Sequence, residues 1–253
     1  MVIYSYSRLE TFEKCRLKFK YRYVDKIIPE IPKSVEMHLG TIVHETLEWL
    51  YKKVMGNTIP SLDETIMHYS EKWTEEPVNE MLIVNKFMKE KDYFNKGVQF
   101  LIDYYFKHQP FRDNTIATEK HVEINLDTTG EKKLIGFIDR LAHNLEKDEI
   151  EIHDYKTANT LPHLEELEKN RQLALYSLAI KEEFGKEKNI SLNWHYLAHN
   201  QKISIRKTNE DLENLKREVI ELINQIESTT NFPPTKSKLC DWCEYKNICE
   251  CWK

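Results

Sequence analysis

The sequence predicts an α/β sandwich, in which a small mixed β-sheet is flanked by helices, and three observations carry this prediction. Apolar residues recur at helical spacing over residues 35–55 and again over residues 164–184. Between these segments the period changes to the alternation typical of a strand, as in Val122, Ile124 and Leu126. Along the chain the predicted order is helices, three strands, a helix, two strands and a helix.

Each predicted element has its own sequence signature. Ser7, with Glu10 three residues later, has the form of a capping box and predicts the start of the first helix. The second helix is expected to end at Gly56. The strands are predicted over residues 121–126, 134–142, 150–157, 192–198 and 202–207, and the last helix over residues 211–226.

Composition narrows the class of protein. The chain has 253 residues, 40% of them hydrophobic, which is enough for one domain over residues 1–253. Its formal net charge of −5 gives no general support for a protein that coats nucleic acid. Neither a secretory signal nor a membrane-spanning run is visible, so we expect a cytoplasmic protein with no membrane partner. In that compartment five cysteines favour a metal or a cluster over disulfides.

Two of the predicted strands carry carboxylates and a lysine. Asp154 and Lys156 share one face of their strand because side chains alternate along it, and Asp139 can converge on them if the two strands are neighbours. Two carboxylates suit Mg²⁺ or Mn²⁺, and an ammonium group can position an attacking water. The alternative is a solvated salt bridge of little energetic value, since a D-x-K pattern is common by chance.

Three further polar residues lie on predicted helices. His44 is surrounded by apolar residues, and a histidine in such a helix is more often a core residue with a satisfied hydrogen bond. Gln172 and Tyr176 are four residues apart and share a helix face, which could simply pack against the sheet. The residues alone leave both interpretations open.

Taken in order, the motifs GTIVHE, GFIDR, HDYKT and RQLALY resemble the RecB-like branch of the PD-(D/E)XK nucleases. The resemblance implies a restriction-endonuclease-like core, with a helical insertion over residues 51–112 and the catalytic sheet over residues 113–207. It also implies a metal-dependent DNA nuclease that hydrolyses phosphodiester bonds. Within this branch, an exonuclease that prefers single strands and acts in DNA repair, recombination or CRISPR adaptation is the expected function.

The resemblance also assigns roles to single residues. The catalytic set would be His44, Asp139, Asp154 and Lys156. The same histidine and both aspartates, with the carbonyl of Tyr155, would hold Mg²⁺ or Mn²⁺. The glutamine and tyrosine of the last motif, Gln172 and Tyr176, would contact the substrate or brace the lysine. Glu119, placed before the first core strand, matches a frequent family position without a clear chemical role.

The cysteines form a separate pattern. Cys240, Cys243 and Cys249 are clustered near the end of the chain, whereas Cys15 lies on the first predicted helix. Their spacing leaves zinc and an iron–sulfur cluster open, since both use four cysteines. Resemblance to the AddB nuclease domain and to CRISPR-adaptation nucleases implies a 4Fe-4S cluster on these four residues, joining the tail (residues 233–253) to Cys15. Cys251 is a fifth thiol, and the spacing ranks Cys249 ahead of it.

The first helix interleaves basic and aromatic residues, a combination that suits single-stranded DNA. Arg8 and Arg16 are therefore candidate substrate contacts, although a solvated charged face is the alternative.

A rival function is a nucleic-acid-binding cluster subunit of a helicase–nuclease or CRISPR-adaptation complex, inactive alone. Another is a zinc or redox-cluster protein whose D-x-K pattern is incidental. A helicase partner would be a separate chain, because no glycine-rich phosphate-binding loop occurs here. The sequence leaves the oligomeric state of the protein open.

Overall fold

A computed structural model describes residues 2–30, 33–78, 81–127 and 129–252 of the chain. Six strands form one mixed sheet, with helices on both faces, so the predicted α/β fold is confirmed. The strand order is β1-β3-β4-β5-β6, and β2 pairs with the other side of β3. The strands are β1 (Ile3–Ser5), β2 (Thr115–Asn125), β3 (Lys133–Asn144), β4 (Glu149–Lys156), β5 (Asn189–Tyr196) and β6 (Gln201–Ile205).

The pairing of β3 leaves an opening at its middle. β2 runs antiparallel along nearly the whole of β3, from Asn125 opposite Lys133 to Thr115 opposite Ala142. On the other side, β1 pairs with residues 133–135, and β4 pairs only from Arg140 onward. Residues 136–139 of β3 therefore have no strand partner on that side. Polar groups at such an opening are free to contact side chains or a ligand instead of a neighbouring strand.

Two hydrophobic cores lie on opposite faces of the sheet. One packs α7 and α8 against residues such as Ile152, Leu192 and Trp194. The other packs α3, α4 and α5 together and reaches the sheet through Tyr155. The helices are α1 (Tyr6–Lys14), α2 (Arg16–Phe19), α3 (Val35–Met55), α4 (Leu62–Trp73), α5 (Glu90–His108), α6 (Leu164–Glu168), α7 (Gln172–Phe184) and α8 (Asn209–Ser228). No helix within the described ranges has the length and apolar character needed to cross a membrane.

Two predicted helix boundaries were wrong. α1 begins two residues earlier than predicted, because Ser5 ends β1 in an extended conformation and its hydroxyl accepts the Arg8 amide at 3.2 Å. Ser5, not Ser7, is therefore the N-cap. The helix predicted over residues 164–184 is two helices, α6 and α7, with a break at residues 169–171. The second predicted helix was placed correctly, since Ser34 caps the start of α3 and Gly56 follows its end.

The cysteine-rich tail folds back onto the start of the chain. After α8 it forms three short 3₁₀ turns, Lys238–Trp242, Lys246–Ile248 and Glu250–Trp252. Glu244 forms an ion pair with Lys18 at 2.7 Å. The Tyr245 hydroxyl donates a hydrogen bond to the carbonyl of Ile27 at 3.0 Å. The two ends of the chain are thus in direct contact.

Candidate active site

Asp139 lies in the opening of β3, where its side chain takes the place of a missing strand partner. Its Oδ2 accepts the backbone N–H of Tyr155 at 2.8 Å and lies 3.3 Å from Nδ1 of His44 on α3. Nε2 of His44 is in turn 2.7 Å from the carbonyl oxygen of Tyr155. A helix and two strands therefore meet at one polar point.

Both ring nitrogens of His44 face acceptors, and both can donate only when the ring is protonated. Burial lowers the pKa of His44, but the charge and hydrogen bond of Asp139 outweigh it and raise the pKa to about 9. Burial also acts to raise the pKa of Asp139, yet His44 holds it below its usual value. The proton on His44 thus supplies positive charge among these oxygen atoms, and a metal ion coordinated by a His44 nitrogen would replace that proton.

Asp154 and Lys156 come together on the face of β4 that points toward α7. Nζ of Lys156 lies 2.7 Å from Oδ2 of Asp154 and donates its hydrogen bond to Oδ1 at 3.0 Å. Oδ2 of Asp154 is buried and makes no hydrogen bond of its own. Burial, together with Asp139, raises the pKa of Asp154 despite the nearby ammonium group. Burial lowers the pKa of Lys156, but Asp154 more than offsets this, and the lysine stays charged.

Gln172 and Tyr176 extend this group from α7. Nζ of Lys156 donates a hydrogen bond to Oε1 of Gln172 at 3.1 Å, and Tyr176 lies one turn further along α7. The Tyr176 ring packs over Gly136 in the opening of β3, where an added Cβ would lie only 2.2 Å from the ring. Glycine at 136 is therefore what lets α7 approach the sheet closely enough to reach the lysine.

Glu119 is the residue that sequence reasoning undervalued, because the structure places it inside β2 and not before the strand. Its neighbours Thr118 and Lys120 pair with Arg140 and Ile138, so Glu119 stands opposite Asp139. The ligand atoms of His44, Glu119 and Asp139 all lie within 4.8 Å of one another. Burial, followed by the charges of Asp139 and Glu48, raises the pKa of Glu119 to about 7. The β-branched residues at 115, 116 and 118 were the signal that could have extended the predicted strand back to include it.

These residues line an open groove of about 550 Å³ with an acidic wall. Carboxylate oxygens and an imidazole nitrogen are donors that Mg²⁺ and Mn²⁺ accept in proteins. Oδ2 of Asp154 is a further buried carboxylate oxygen, whose charged partner among the described residues is Nζ of Lys156 at 2.7 Å. The donor set therefore fits a divalent cation. The groove is lined by Gly40, Thr41, His44, Glu45, Glu48, Glu119 and Asp139.

The two predicted arginine contacts are not brought to this group. The Arg8 guanidinium lies over the rings of Tyr4 and Tyr23, at 4.9 and 5.0 Å from their centroids. Arg16 lies over the Phe12 ring at 5.1 Å. Within the described residues, neither arginine forms a hydrogen bond or ion pair with the catalytic group. Their aromatic contacts support α1 and α2, because cation–π pairs of this kind stabilise local packing.

All five cysteines line one cavity of about 310 Å³ between the first helices and the tail, and none of them forms a disulfide. The structure thus brings Cys15 to the tail thiols. Among the described residues, no three thiols lie within 4.8 Å of one another. A tetrahedral zinc site, with Zn–S bonds of about 2.3 Å, needs sulfur atoms about 3.8 Å apart. The thiols are Cys15, Cys240, Cys243, Cys249 and Cys251.

The fold and the catalytic group together define a class of protein, a nuclease that carries its carboxylates and lysine on neighbouring strands of a mixed sheet. Residues 3–250 match the model of the PD-(D/E)XK nuclease superfamily. The chain belongs to that superfamily, and the resemblance of its motifs is confirmed at this level.

Two solved structures are similar to this chain at low sequence identity. A candidate exonuclease from Eubacterium rectale is 12% identical with a TM-score of 0.57, and the match covers 96% of this chain and 87% of that chain. A second structure, of a protein named SSO0001, is 13% identical with a TM-score of 0.40, and 85% of each chain is covered. None of the curated proteins that were compared matches this sequence.

Proposed function

We propose that this nuclease is a Mg²⁺- or Mn²⁺-dependent deoxyribonuclease, and specifically an exonuclease that prefers single-stranded DNA. The observation that carries the proposal is that Asp139 contacts the backbone of Tyr155, between the paired Asp154 and Lys156 on β4, so that the charges of the three side chains act on one another. The preference for single strands and for end-directed cutting rests on the resemblance to the RecB-like branch. The same resemblance supports a role in DNA repair, recombination or CRISPR adaptation, beside a helicase or an adaptation protein.

The residues that would hold the metal are His44, Asp139 and Asp154, with Glu119 and the Tyr155 carbonyl as further ligands. Bound Mg²⁺ or Mn²⁺ would lower the pKa of a water molecule and offset charge on the scissile phosphate. Each of these protein ligands comes from a different element or strand position, so their geometry is set by the fold and does not depend on a flexible loop.

Lys156 orients the reacting groups. Its side chain is about one-third exposed, at 32%, and contacts with Asp154 and Gln172 fix the position of the ammonium group. A charged, fixed ammonium group can hold a phosphate oxygen and the attacking water in line.

For the cysteine cavity we propose a 4Fe-4S cluster held by Cys15, Cys240, Cys243 and Cys249. Thiolates are soft ligands that suit zinc or iron–sulfur clusters, and the wide separation of the sulfur atoms favours the larger group. A brown protein with absorbance near 400 nm and bound iron supports this assignment, whereas a colourless protein with bound zinc contradicts it.

The test of the enzyme is cleavage of end-labelled single- and double-stranded DNA with Mg²⁺, with Mn²⁺ and with a chelator. We expect Lys156→Ala to lower kcat by roughly 10²–10⁴-fold, the usual contribution of a positioned catalytic group. Lys133→Ala is the matched control, because Lys133 is also an ion-paired strand lysine, bound to Glu123 at 2.5 Å.

The product ladder of the wild type would show whether cutting starts at an end and with which polarity. A folded wild type that cuts neither form of DNA in either metal would contradict an independent enzyme. That outcome would favour the rival function, a DNA-binding subunit that needs a partner.

A further inference from the structure

A second cavity, of about 370 Å³, lies directly beside the end of the catalytic strand. One side is formed by Thr157–Asn159, the three residues that follow Lys156. An extended chain spans at most about 3.6 Å per residue, so this side lies within roughly 11 Å of the catalytic lysine. The segment is fixed at its far end by His199, whose Nε2 is 2.9 Å from the Asn159 carbonyl.

The cavity lies next to the metal groove, on the other side of Gly40 in α3. Gly40 lines the metal groove, and an added Cβ at Gly40 would lie 3.3 Å from Oγ1 of Thr157, which lines the second cavity. At this point the two cavities are therefore separated by Gly40, which has no side chain. A strand whose phosphate lies at the metal group has its neighbouring nucleotide at this cavity.

Flat and apolar surfaces form much of the wall. Trp242 from the cysteine tail leaves 43% of its surface exposed at the rim, and Met37 on the first turn of α3 leaves 59% exposed. An exposed indole beside a nuclease groove is a platform on which an unpaired base can stack. Lys96 on α5 lines the same cavity and can contact a phosphate.

One polar group in the wall has no partner. Oε1 of Glu36 accepts the Tyr93 hydroxyl at 2.7 Å, but Oε2 of Glu36 is buried and makes no hydrogen bond within the described residues. A carboxylate only accepts hydrogen bonds, and an orphaned buried acceptor is costly. The amino groups of cytosine, adenine and guanine are donors that would satisfy it, whereas thymine has no amino group and offers only its ring N3–H.

We propose that this cavity is a nucleobase subsite for the nucleotide next to the scissile phosphate, in which Trp242 stacks on the base and Glu36 accepts its amino group. The inference deepens the proposed nuclease function and rests on it. It explains how a protein with net negative charge can bind DNA. The base would be held by stacking and by a carboxylate, while Lys96 and the metal would contact the phosphate backbone.

The first test is binding of fluorescent oligo-dC to the full chain in the presence of a chelator, followed by cleavage kinetics in Mn²⁺. We expect Trp242→Ala to raise Kd and KM by roughly 5- to 150-fold, the range for one base–aromatic stack, with kcat nearly retained. Trp242→Phe should restore most of the affinity. Trp252→Ala is the matched control, since Trp252 is a tail tryptophan of similar exposure, 40%, that lies over Lys246.

Trp242 also lines the cysteine cavity, so iron content and the absorbance spectrum of each variant are measured alongside. A loss of affinity in a variant with wild-type iron content supports the subsite. Unchanged Kd and KM in Trp242→Ala would overturn it, and so would an equal loss in Trp252→Ala.

The second test separates base selection from general packing. The wild type is expected to bind oligo-dC more tightly than oligo-dT, and Glu36→Gln should reduce that ratio, because an amide can also donate to thymine. An unchanged ratio would overturn the role of Glu36. A wild type that binds oligo-dC through Trp242 but does not cut would refute the enzyme and leave the subsite standing, so the two failures are distinguishable.

Discussion

At the scale of single residues, Glu119 shows how the backbone can be arranged around a site. Its φ is +44°, a left-handed conformation that a glutamate in the middle of a strand adopts only at a cost. What offsets this cost is the placement of its carboxylate beside His44 and Asp139. Two carboxylates at this distance repel each other unless a cation lies between them.

Glu119→Gln should therefore weaken metal binding more than it weakens the fold. We expect the Mn²⁺ concentration for half-maximal cleavage to rise about 10- to 100-fold, the loss typical of groups that support a metal site. The measurement is cleavage rate against Mn²⁺ concentration, with calorimetric titration of the metal. Glu123→Gln, a change on the same strand at an exposed ion pair with Lys133, should leave the titration unchanged. Equal metal affinity in the two variants would show that Glu119 is not a ligand.

At the scale of elements, one face of β4 carries Asp154 and Lys156, and the opposite face packs through Tyr155 against α3 and α5. The backbone of Tyr155 contacts both Asp139 and His44, so its position affects the metal group directly. The hydroxyl of Tyr155 accepts a hydrogen bond from Nε of Arg140 at 2.9 Å, and it lies 3.3 Å from the hydroxyl of Tyr104 on α5. The helical segment over residues 51–112, which matches none of the family motifs, is thereby connected to the catalytic strand.

The same buried face carries a pair of neutral histidines. Nδ1 of His153 on β4 is 2.9 Å from Nε2 of His195 on β5, an arrangement that needs one donor and one acceptor. Burial lowers the pKa of both rings well below 6.5, and the charge of Arg140 lowers that of His153 further. Below pH 6.5 the unfolded chain binds protons at these rings and the folded chain does not. Their contribution to stability is thus present above pH 6.5 and is lost as the pH falls.

His195→Gln should make the free energy of unfolding less sensitive to acid. Between pH 6.5 and 5, each histidine that is protonated only in the unfolded chain lowers the free energy of unfolding by up to about 1.4 kcal/mol per pH unit, and the variant should lose up to that much of the slope. The raised pKa values of Glu119 and Asp154 act in the opposite direction, so the comparison is between slopes of variant and wild type. Urea unfolding between pH 5 and 6.5 measures the free energy of unfolding and its slope with pH. His121→Gln, on the exposed face of β2, is the control variant. Identical slopes in all three proteins would contradict the assignment.

At the scale of the whole molecule, the tail closes the chain on itself. Glu244, Tyr245 and Asn247 contact residues of the first thirty, and the five thiols lie at that junction. A cross-link between Cys15 and the tail closes nearly the entire chain into a loop, and the unfolded chain loses entropy accordingly. In the chain-entropy model such a link is worth about 5 kcal/mol.

Cys243→Ser is expected to remove the proposed cluster, lower Tm by roughly 10 °C and expose the tail to trypsin after Pro233–Pro234. Cys251→Ser should retain iron and resistance to trypsin, because Cys251 ranks behind Cys249 as a ligand. Iron content, Tm and the tryptic pattern are measured together. If both variants lose iron equally, Cys251 is itself a ligand; if the wild type binds no iron, the cluster proposal is wrong.

Local rules explain what the sequence by itself determined. Alternation along a strand places Asp154 and Lys156 on one face, and the cap residues Ser34 and Gly56 set the limits of α3. The four motifs were sufficient for the superfamily, which the match over residues 3–250 confirms. All of these depend on residues a few positions apart, whose geometry is fixed by covalent structure and nearest-neighbour hydrogen bonds.

Only the tertiary structure decided which of these pieces meet. Asp139 reaches His44 and the backbone of Tyr155 because β4 pairs with β3 only from Arg140 onward and leaves the residues before it open. Glu119 and Trp242 reach their neighbours through contacts between segments that lie far apart in the chain. Such contacts depend on strand order, register and the packing of whole elements, and no local pattern of residues specifies them.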